Sequence, residues 1–388
     1  MHRWMSIQFF LFFFTWTTFL AYWGVIFDER GFAASEIGLS ITVSLVTRAV
    51  AIAVLFPMLN RVWPLGRVVR VLPWASLAVA LLFLPSTGVT GLVVLSGIFG
   101  LLYPTLMPVL ETTAALGVQR QVLDYGRARG WGSIGFVAGA AVNGVVAQLV
   151  GNAPLWWVFL LGLLALAVTA SRPLGEEHVE AQRSDGFGGW APLLRSPVFV
   201  PALAITVVLQ SSHAAYYAFG SLHLVRLGAA AWVVATFLVI APLAEMLLFR
   251  VTGPIAQRAS LAAMLGISTA GALLRWGVWA LDPGVAVLLG TQVLHALTFG
   301  LMQVTFIQTL NRHVPAALVA PAQGLYMALG TGAGTAVMTA VAGALFDLSP
   351  ALTFAAMALS VLLAVPLLLL LRRRELGRHR EPDAAVTP

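Results

Sequence analysis

Four ionisable side chains lie within long apolar segments of the sequence. They are Arg48, Glu111, Glu245 and Arg275. On insertion scales, a charge at the centre of a membrane helix costs about 2.5–3.5 kcal/mol, whereas a central leucine returns only about 0.3–0.6 kcal/mol. Such charges persist where they face one another or a water-filled cavity. For Arg48, an ion pair and a ligand contact both remain open, and Glu111 lies near enough to a segment end to reach interfacial water.

Two histidines, His213 and His295, lie at a depth comparable to these charges. Arg275 and His295 are separated by a short connection around Asp282, so antiparallel helices would place them at a similar level. Burial favours the protonated form of a carboxyl group, and a nearby cation favours its ionised form. With Glu245 as the carboxylate, the set predicts a proton-coupling site in which binding one ligand changes the affinity for another. His213 has a simpler interpretation as a helix-packing residue.

Aromatic residues are concentrated in the first and seventh apolar segments. Most of them are expected to face lipid or to form interfacial belts. The others would suit a flat, apolar substrate lying against a cavity wall. Tyr22, Trp23 and Tyr216 are the aromatic residues that we predict to contact a substrate.

The composition excludes a water-soluble domain. Of 388 residues, 60% are hydrophobic and 10% are charged, against about 25% charged in soluble proteins; the mean hydropathy is +0.91. The net charge of +7 comes from arginines scattered between apolar runs, which argues against a nucleic-acid partner. The absence of cysteine excludes disulfides and thiolate metal sites. No catalytic, metal or cofactor motif is present, so we predict neither an enzyme nor a bound cofactor.

Twelve apolar segments are predicted to cross a bilayer as helices, each needing about 20 residues. Turn sequences at 85–88 and 151–154 divide the two longest apolar runs. The predicted helices are 5–27, 36–60, 71–86, 91–117, 130–150, 154–171, 198–222, 231–250, 261–281, 284–311, 321–346 and 350–371.

The distribution of arginines predicts the orientation of these helices. Alternate connections and both termini carry 18 arginines, whereas the opposite connections carry only Arg30 and Arg226. By the positive-inside rule, both termini lie in the cytoplasm. We therefore expect a multi-pass protein of the bacterial inner membrane.

The predicted helices fall into two groups of six, 1–171 and 198–371, joined by a cytoplasmic linker over 172–197 and followed by a basic tail over 372–388. The groups repeat one another: Gly31 precedes Arg48 by 17 residues, and Gly228 precedes Glu245 by 17. Two six-helix bundles in parallel repeat are the layout of the major facilitator superfamily. The predicted fold is therefore an all-α, twelve-helix, pseudo-symmetric membrane protein, expected to be a monomer.

Five segments resemble the phenylpropionate permease family of that superfamily. They are 123–133 (LDYGRARGWGS), 210–217 (QSSHAAYY), Ala244-Glu245, 274–277 (LRWG) and Leu294-His295. The resemblance implies a carrier that imports a small aromatic carboxylate, such as 3-phenylpropionate, with protons. Arg129 or Arg275 would then bind the carboxylate.

A more distant similarity is to the lactose permease type of proton symporter. Glu111 and Arg129, 18 residues apart, match positions that bind sugar in that type. Arg275, His295 and Glu245 match further charged positions of it. These matches imply substrate binding by Glu111 and Arg129, and proton coupling by Glu245, Arg275 and His295.

Two departures from the lactose permease type change the expected proton route. Thr298 stands where that type has a glutamate one turn after the histidine, and this chain has no lysine. We predict that the protein imports an aromatic acid together with protons, by alternating access. A sugar or nucleoside symporter is the main alternative, and a drug exporter is less favoured because the intramembrane charges are numerous and balanced.

Overall fold

Segments this apolar form helices because a backbone surrounded by lipid must satisfy its own hydrogen bonds. The computed structural model describes residues 1–85, 88–172, 190–315 and 318–378. Within these ranges, all regular secondary structure is helical. The predicted all-α fold class is therefore confirmed for these residues.

Long helices follow one another with short connections throughout the described residues. Those of the first half are α1 (His2–Glu29), α2 (34–62), α3 (Leu65–Leu82), α4 (89–119), α5 (Tyr125–Val150) and α6 (Leu155–Ala170). Those of the second half are α7 (Phe199–Arg226), α8 (Ala231–Arg258), α9 (Leu261–Ala280), α10 (Val285–His313), α11 (319–346) and α12 (350–378).

Ten of these helices are long and apolar enough to cross a membrane, on the basis of the described residues. The other two are α2 and α6, and α6 has 16 residues. Twelve membrane crossings therefore stay a prediction. Most of the predicted linker, and residues 379–388 of the tail, lie outside the described residues; a short helix, Trp190–Leu194, precedes α7.

Several long helices contain turns with π-helical or 3-10 geometry. The π turns are Thr18–Tyr22 in α1, Ala51–Leu55 in α2, Ala296–Leu301 in α10 and Met327–Gly334 in α11. A 3-10 turn, Thr291–Leu294, immediately precedes His295. π turns are rare and often lie at functional sites. Of the predicted site residues, Tyr22 lies within the π turn of α1, His295 directly precedes that of α10, and Arg48 lies three residues before that of α2.

The described residues form two compact units. Unit 1 contains those of Met1–Asp185, Tyr216–Val239 and Gly343–Asp347, and unit 2 contains the remainder. Unit 1 thus includes α1–α6, the end of α7, the start of α8 and the last residues of α11. The division at 171 and 198 stays a prediction from chain order.

The fifth helix of each half packs closely on the first helix of the same half. In unit 1, Gly135 of α5 lies against the backbone carbonyl of Phe10 in α1. In unit 2, Gly334 of α11 lies against the Ser211 side chain in α7. Small residues allow such close approach in membrane proteins. The shared arrangement agrees with the sequence repeat.

The two arginines on the side predicted to be periplasmic are both bound within unit 1. Arg226 at the end of α7 contacts Asp28 (Nη2–Oδ1 2.5 Å) and Asp347 (Nη1–Oδ1 3.1 Å). The same Asp347 accepts a hydrogen bond from the first backbone N–H of α2. Arg30 donates to the Phe83 carbonyl at the end of α3 (2.8 Å). Arg30 and Arg226, the two arginines on the side that otherwise lacks them, therefore each connect the ends of different helices.

Candidate functional site

Unit 2 brings together the three residues predicted to couple protons. The Nε2 atom of His295 lies 3.0 Å from Oε1 of Glu245, and its Nδ1 atom lies 2.7 Å from Nη1 of Arg275. Glu245 is in α8, Arg275 in α9 and His295 in α10. The tight α9–α10 connection turns at Asp282, which adopts a positive φ of 49°. His295 therefore bridges the carboxylate and the guanidinium.

Hydrogen-bond chemistry fixes the tautomer of His295 in this arrangement. An arginine has only donors, so Nδ1 of His295 must accept the hydrogen bond from Arg275. Neutral imidazole then carries its proton on Nε2 and donates it to Glu245. If Nδ1 of His295 also carried a proton, this N–H would point at the N–H of Arg275 Nη1, and neither could accept a hydrogen bond. Proton uptake at His295 is thus linked to loss of the Arg275 contact.

Polar neighbours extend the network on the arginine side. Nη2 of Arg275 donates to Oε1 of Gln292 at 2.9 Å, and Nη1 lies 3.3 Å from Oγ1 of Thr298. Oγ1 of Thr298 lies 3.0 Å from Nε2 of His213. Nδ1 of His213 lies 2.8 Å from the carbonyl oxygen of Leu209. Nδ1 of His213 is therefore the donor to that carbonyl, and its Nε2 accepts from the threonine hydroxyl.

Burial differs from one end of the network to the other. Arg275 is 0% exposed and also lies over the Trp276 ring, whereas the Glu245 side chain is 17% exposed. Buried charges require several hydrogen bonds to offset their desolvation, and Arg275 donates hydrogen bonds to three side chains. Glu245 is therefore the more exposed end of the network.

A second charged pair lies in unit 1. Nε of Arg129 in α5 lies 3.3 Å from Oε1 of Glu111 in α4, and the Tyr125 hydroxyl donates to Oε2 of Glu111 at 2.9 Å. The Arg129 guanidinium lies 4.2 Å from the ring centroid of Phe13 in α1. Both side chains of the pair are about one-third exposed. They form a partly exposed set of hydrogen-bonding groups beside an aromatic helix.

Arg48 of α2 contacts an aromatic side chain of α1. Its guanidinium lies over the Trp16 ring, 5.4 Å from the centroid. Among the described residues, no hydrogen bond or ion pair to this guanidinium is present.

The aromatic residues predicted to contact substrate are mostly packed within unit 1. Trp23 is 2% exposed, and Tyr22 is buried with no hydrogen-bond partner for its hydroxyl among the described residues. Tyr216 packs on Tyr217 and Phe237. Trp23 lies in an aromatic cluster with Phe19, Phe27, Phe83, Phe99, Trp156 and Phe159. Contact of these residues with substrate stays a prediction.

The structure adds residues that sequence reasoning missed. Gln292 lies three positions before His295, and this helical spacing was the available signal for it. Tyr125 is part of the family-like segment but had no assigned role. Trp16 had no signal beyond its place in an aromatic helix, because its pairing with Arg48 depends on how α1 and α2 pack.

A cavity of about 430 Å³ lies beside the first turns of α1. Its lining residues are His2, Arg3, Ser6, Ile7, Phe10, Leu11 and Trp131. It contains none of the predicted site residues. Within the described part of the chain, no group of three or more His, Asp or Glu side chains is arranged to hold a metal ion.

Comparison with known proteins gives one consistent picture. The MFS_1 like family matches residues 2–356. The chain is 27% identical over 350 residues to a probable 3-phenylpropionic acid transporter of Escherichia coli (strain K12), covering 89% of this chain and 91% of that protein. It is 26% identical over 288 residues to a maltose permease of Geobacillus stearothermophilus, covering 73% and 72%.

Solved structures with the same fold are also transporters. The nucleoside transporter NupG aligns with a TM-score of 0.78 at 16% identity, covering 95% of this chain and 98% of that one. The POT family transporter PepTSo aligns with a TM-score of 0.71 at 11% identity, covering 97% and 98%. At these identities the likeness establishes the fold alone.

Proposed function

This chain belongs to the MFS_1 like family of secondary transporters, and on that premise we propose that it imports a small aromatic carboxylate together with protons. The observation that carries the proposal is the bridge from Glu245 through His295 to Arg275. The transporter from Escherichia coli, 27% identical, supports the substrate class by its name. The arginine distribution supports insertion in an inner membrane with both termini cytoplasmic, and we propose a monomer.

Charge arithmetic explains how this network would couple the two ligands. With Glu245 ionised and His295 neutral, the charges of Glu245 and Arg275 sum to zero. Protonation of Glu245 leaves one positive charge uncompensated, so an anionic substrate binds more favourably to the protonated carrier. Coupling of this kind typically amounts to 1–3 kcal/mol, or about 5- to 150-fold in affinity. The reciprocal effect is that bound substrate favours protonation.

Glu245→Gln tests the coupling. The amide cannot ionise, so we expect gradient-driven accumulation of labelled 3-phenylpropionate in proteoliposomes to be abolished, while exchange of internal for external substrate continues. The pH dependence of substrate binding should also flatten in this variant. The experiment compares uptake with and without an imposed inward proton gradient.

Glu29→Gln is the matched control, because Glu29 is an exposed carboxylate outside the network. It should accumulate substrate like the unmodified protein. Unchanged accumulation in Glu245→Gln would remove Glu245 from the mechanism. Failure of the unmodified protein to accumulate any solute under a proton gradient would overturn proton-coupled import.

A sugar or nucleoside symporter is the second candidate, favoured by one observation. Glu111, Arg129 and Tyr125 form a partly exposed set of hydrogen-bonding groups, which suits hydroxylated substrates. Competition against labelled 3-phenylpropionate by maltose, a galactoside and a nucleoside separates the alternatives. Uptake of a neutral sugar or nucleoside, without uptake of the acid, would favour this second candidate.

A further inference from the structure

Arg48 differs from Arg129 and Arg275, the other arginines predicted as site residues, in having no protein acceptor among the described residues. Arg129 is bound to Glu111, and Arg275 is bound to His295 and Gln292. Within the same part of the chain, the Arg48 guanidinium has only the Trp16 ring as an interaction partner. A guanidinium carries five N–H donors in a planar fork. Leaving such donors without acceptors in a partly buried position is costly, so this residue is suited to an external anion.

The ring beneath Arg48 belongs to an ordered aromatic stack. Trp16 stacks on Phe12 (ring centroids 5.4 Å apart, 24° between planes) and on Tyr103 (6.0 Å, 27°). The Tyr103 hydroxyl is hydrogen-bonded to Thr15 at 2.7 Å. Phe12 and Tyr103 are buried, whereas Trp16 and the adjacent Phe19 remain partly exposed. The stack therefore presents partly exposed aromatic surface next to a cation.

Packing and local helix geometry orient the two residues. Gly100 of α4 lies against Ser44 and Thr47 of α2, which holds this face of α2 close to α4. Arg48 follows Thr47, so its side chain points about 100° further around the axis of α2. It therefore contacts Trp16 of α1 rather than α4. The π turn of α1 begins two residues after Trp16, and that of α2 begins three residues after Arg48. π turns are frequent at functional sites.

We propose that Arg48 and Trp16 bind the substrate, with the Arg48 guanidinium on its carboxylate and the Trp16 and Phe19 rings against its aromatic part. This assignment rests on the proposed function, because it concerns the same substrate class. A planar guanidinium binds both oxygens of a carboxylate at once. An aromatic ring near Trp16 adds offset or edge-to-face contacts. The site selects anions that carry an aromatic group and discriminates against neutral analogues.

The test compares equilibrium binding of 3-phenylpropionate with that of its neutral analogue 3-phenylpropionamide, using the purified full chain. Arg48→Gln should weaken binding of the acid by about tenfold or more, since hydrogen bonds to charged groups are the strong ones. Binding of the amide should change by less than about threefold. Arg48→Lys keeps the charge but not the fork and should give an intermediate loss for the acid.

Matched variants make the result specific. Arg70→Gln removes an exposed arginine from α3 and should leave the preference for the acid unchanged. Trp16→Leu should weaken binding of both the acid and the amide by about tenfold, because it removes aromatic contacts rather than charge. Thermal melting confirms that each variant is folded; if Arg48→Gln does not fold, Arg48→Lys carries the comparison.

Two outcomes would overturn the inference in different ways. If the unmodified protein binds the acid in preference to the amide, and folded Arg48 variants keep that preference in full, then the Arg48–Trp16 contact is only structural and the assignment fails alone. If the unmodified protein does not bind the acid, the proposed substrate class fails as well, whatever the Arg48 variants do.

Discussion

At the scale of single residues, the protonation state of His295 is set by its neighbours. Its position between a guanidinium and a carboxylate allows one hydrogen on the ring, on the side of Glu245. A proton that arrives at Glu245 changes the charge of the network without displacing His295, whereas a proton at Nδ1 breaks its link to Arg275. This difference makes Glu245 the better proton acceptor of the two.

Thr298→Val tests whether the polar network holds α7, α9 and α10 together. The substitution keeps the shape of the side chain but removes the acceptor for Arg275 and the donor for His213. Because buried polar groups then lack partners, we expect a loss of about 1–3 kcal/mol in the free energy of unfolding. Thermal melting in detergent measures it.

Thr305→Val is the matched control on the same helix. The Thr305 hydroxyl donates to a carbonyl one turn earlier in α10, and this carbonyl keeps its helical hydrogen bonding. Thr305→Val should therefore lower the free energy of unfolding clearly less than Thr298→Val does. Thr298→Ser should recover part of the stability lost in Thr298→Val. Equal melting temperatures for the two valine variants would show that the Thr298 contacts contribute nothing.

At the scale of helices, glycines determine how closely α5 approaches α1. We expect Gly135→Ala to separate the two helices, because a Cβ at this position meets the backbone carbonyl of Phe10, which cannot rotate away. Overpacking of this kind typically costs 1–3 kcal/mol. The free energy of unfolding, or the melting temperature, should fall accordingly.

Gly130→Ala in the same helix is the control for helix propensity. No atom lies within 4 Å of a Cβ added there, and alanine favours a helix over glycine by up to about 1 kcal/mol. Gly130→Ala should therefore be neutral or stabilising. If Gly135→Ala behaves like Gly130→Ala, close packing of α1 and α5 is not required.

The element boundaries show what sequence patterns can predict. The turns at 85–88 and 151–154 were predicted from proline and glycine, and the helices on either side of them are present. The start of α5 lies at Tyr125 rather than at 130, because the Asp124 side chain accepts a hydrogen bond from the Arg127 N–H and caps the helix. The π turns were not predicted, since they follow from packing between helices and not from composition.

At the scale of the whole molecule, arginines are kept off one predicted side of the membrane except where they join helix ends. Arg226 links the ends of α1, α7 and α11 through Asp28 and Asp347. Nearby, Gly24 of α1 packs against the Ala218 carbonyl of α7. The three-residue cluster and this close packing stabilise one arrangement of these helix ends within unit 1.

Arg226→Gln should loosen that arrangement. Because the chain has no cysteine, Ala218→Cys supplies a unique thiol at a buried position. We expect a membrane-impermeant maleimide to label this thiol severalfold faster when Arg226 is replaced by glutamine. Labelling rates in intact cells or proteoliposomes measure the effect.

Arg70→Gln, combined with Ala218→Cys, is the control and should leave the labelling rate unchanged. The ion pairs of Arg226 are partly exposed, and exposed pairs contribute about 0–1 kcal/mol to stability. The melting temperature should therefore change little even though labelling accelerates. A labelling rate unaffected by Arg226→Gln would mean that the cluster does not hold the helix ends together.

The sequence by itself determined that this chain is an all-helical membrane protein of two repeated halves, and it predicted a shared site for Glu245, Arg275 and His295. These conclusions depend on composition, on the cost of burying charge and on residue spacing. Only the tertiary structure decided that His295 lies between Glu245 and Arg275, that Thr298 and Gln292 complete the network, and that Arg48 meets Trp16. Each residue turns a helix side chain by about 100°, so the partner that a side chain meets depends on helix rotation and on π turns, which hydrophobicity does not encode.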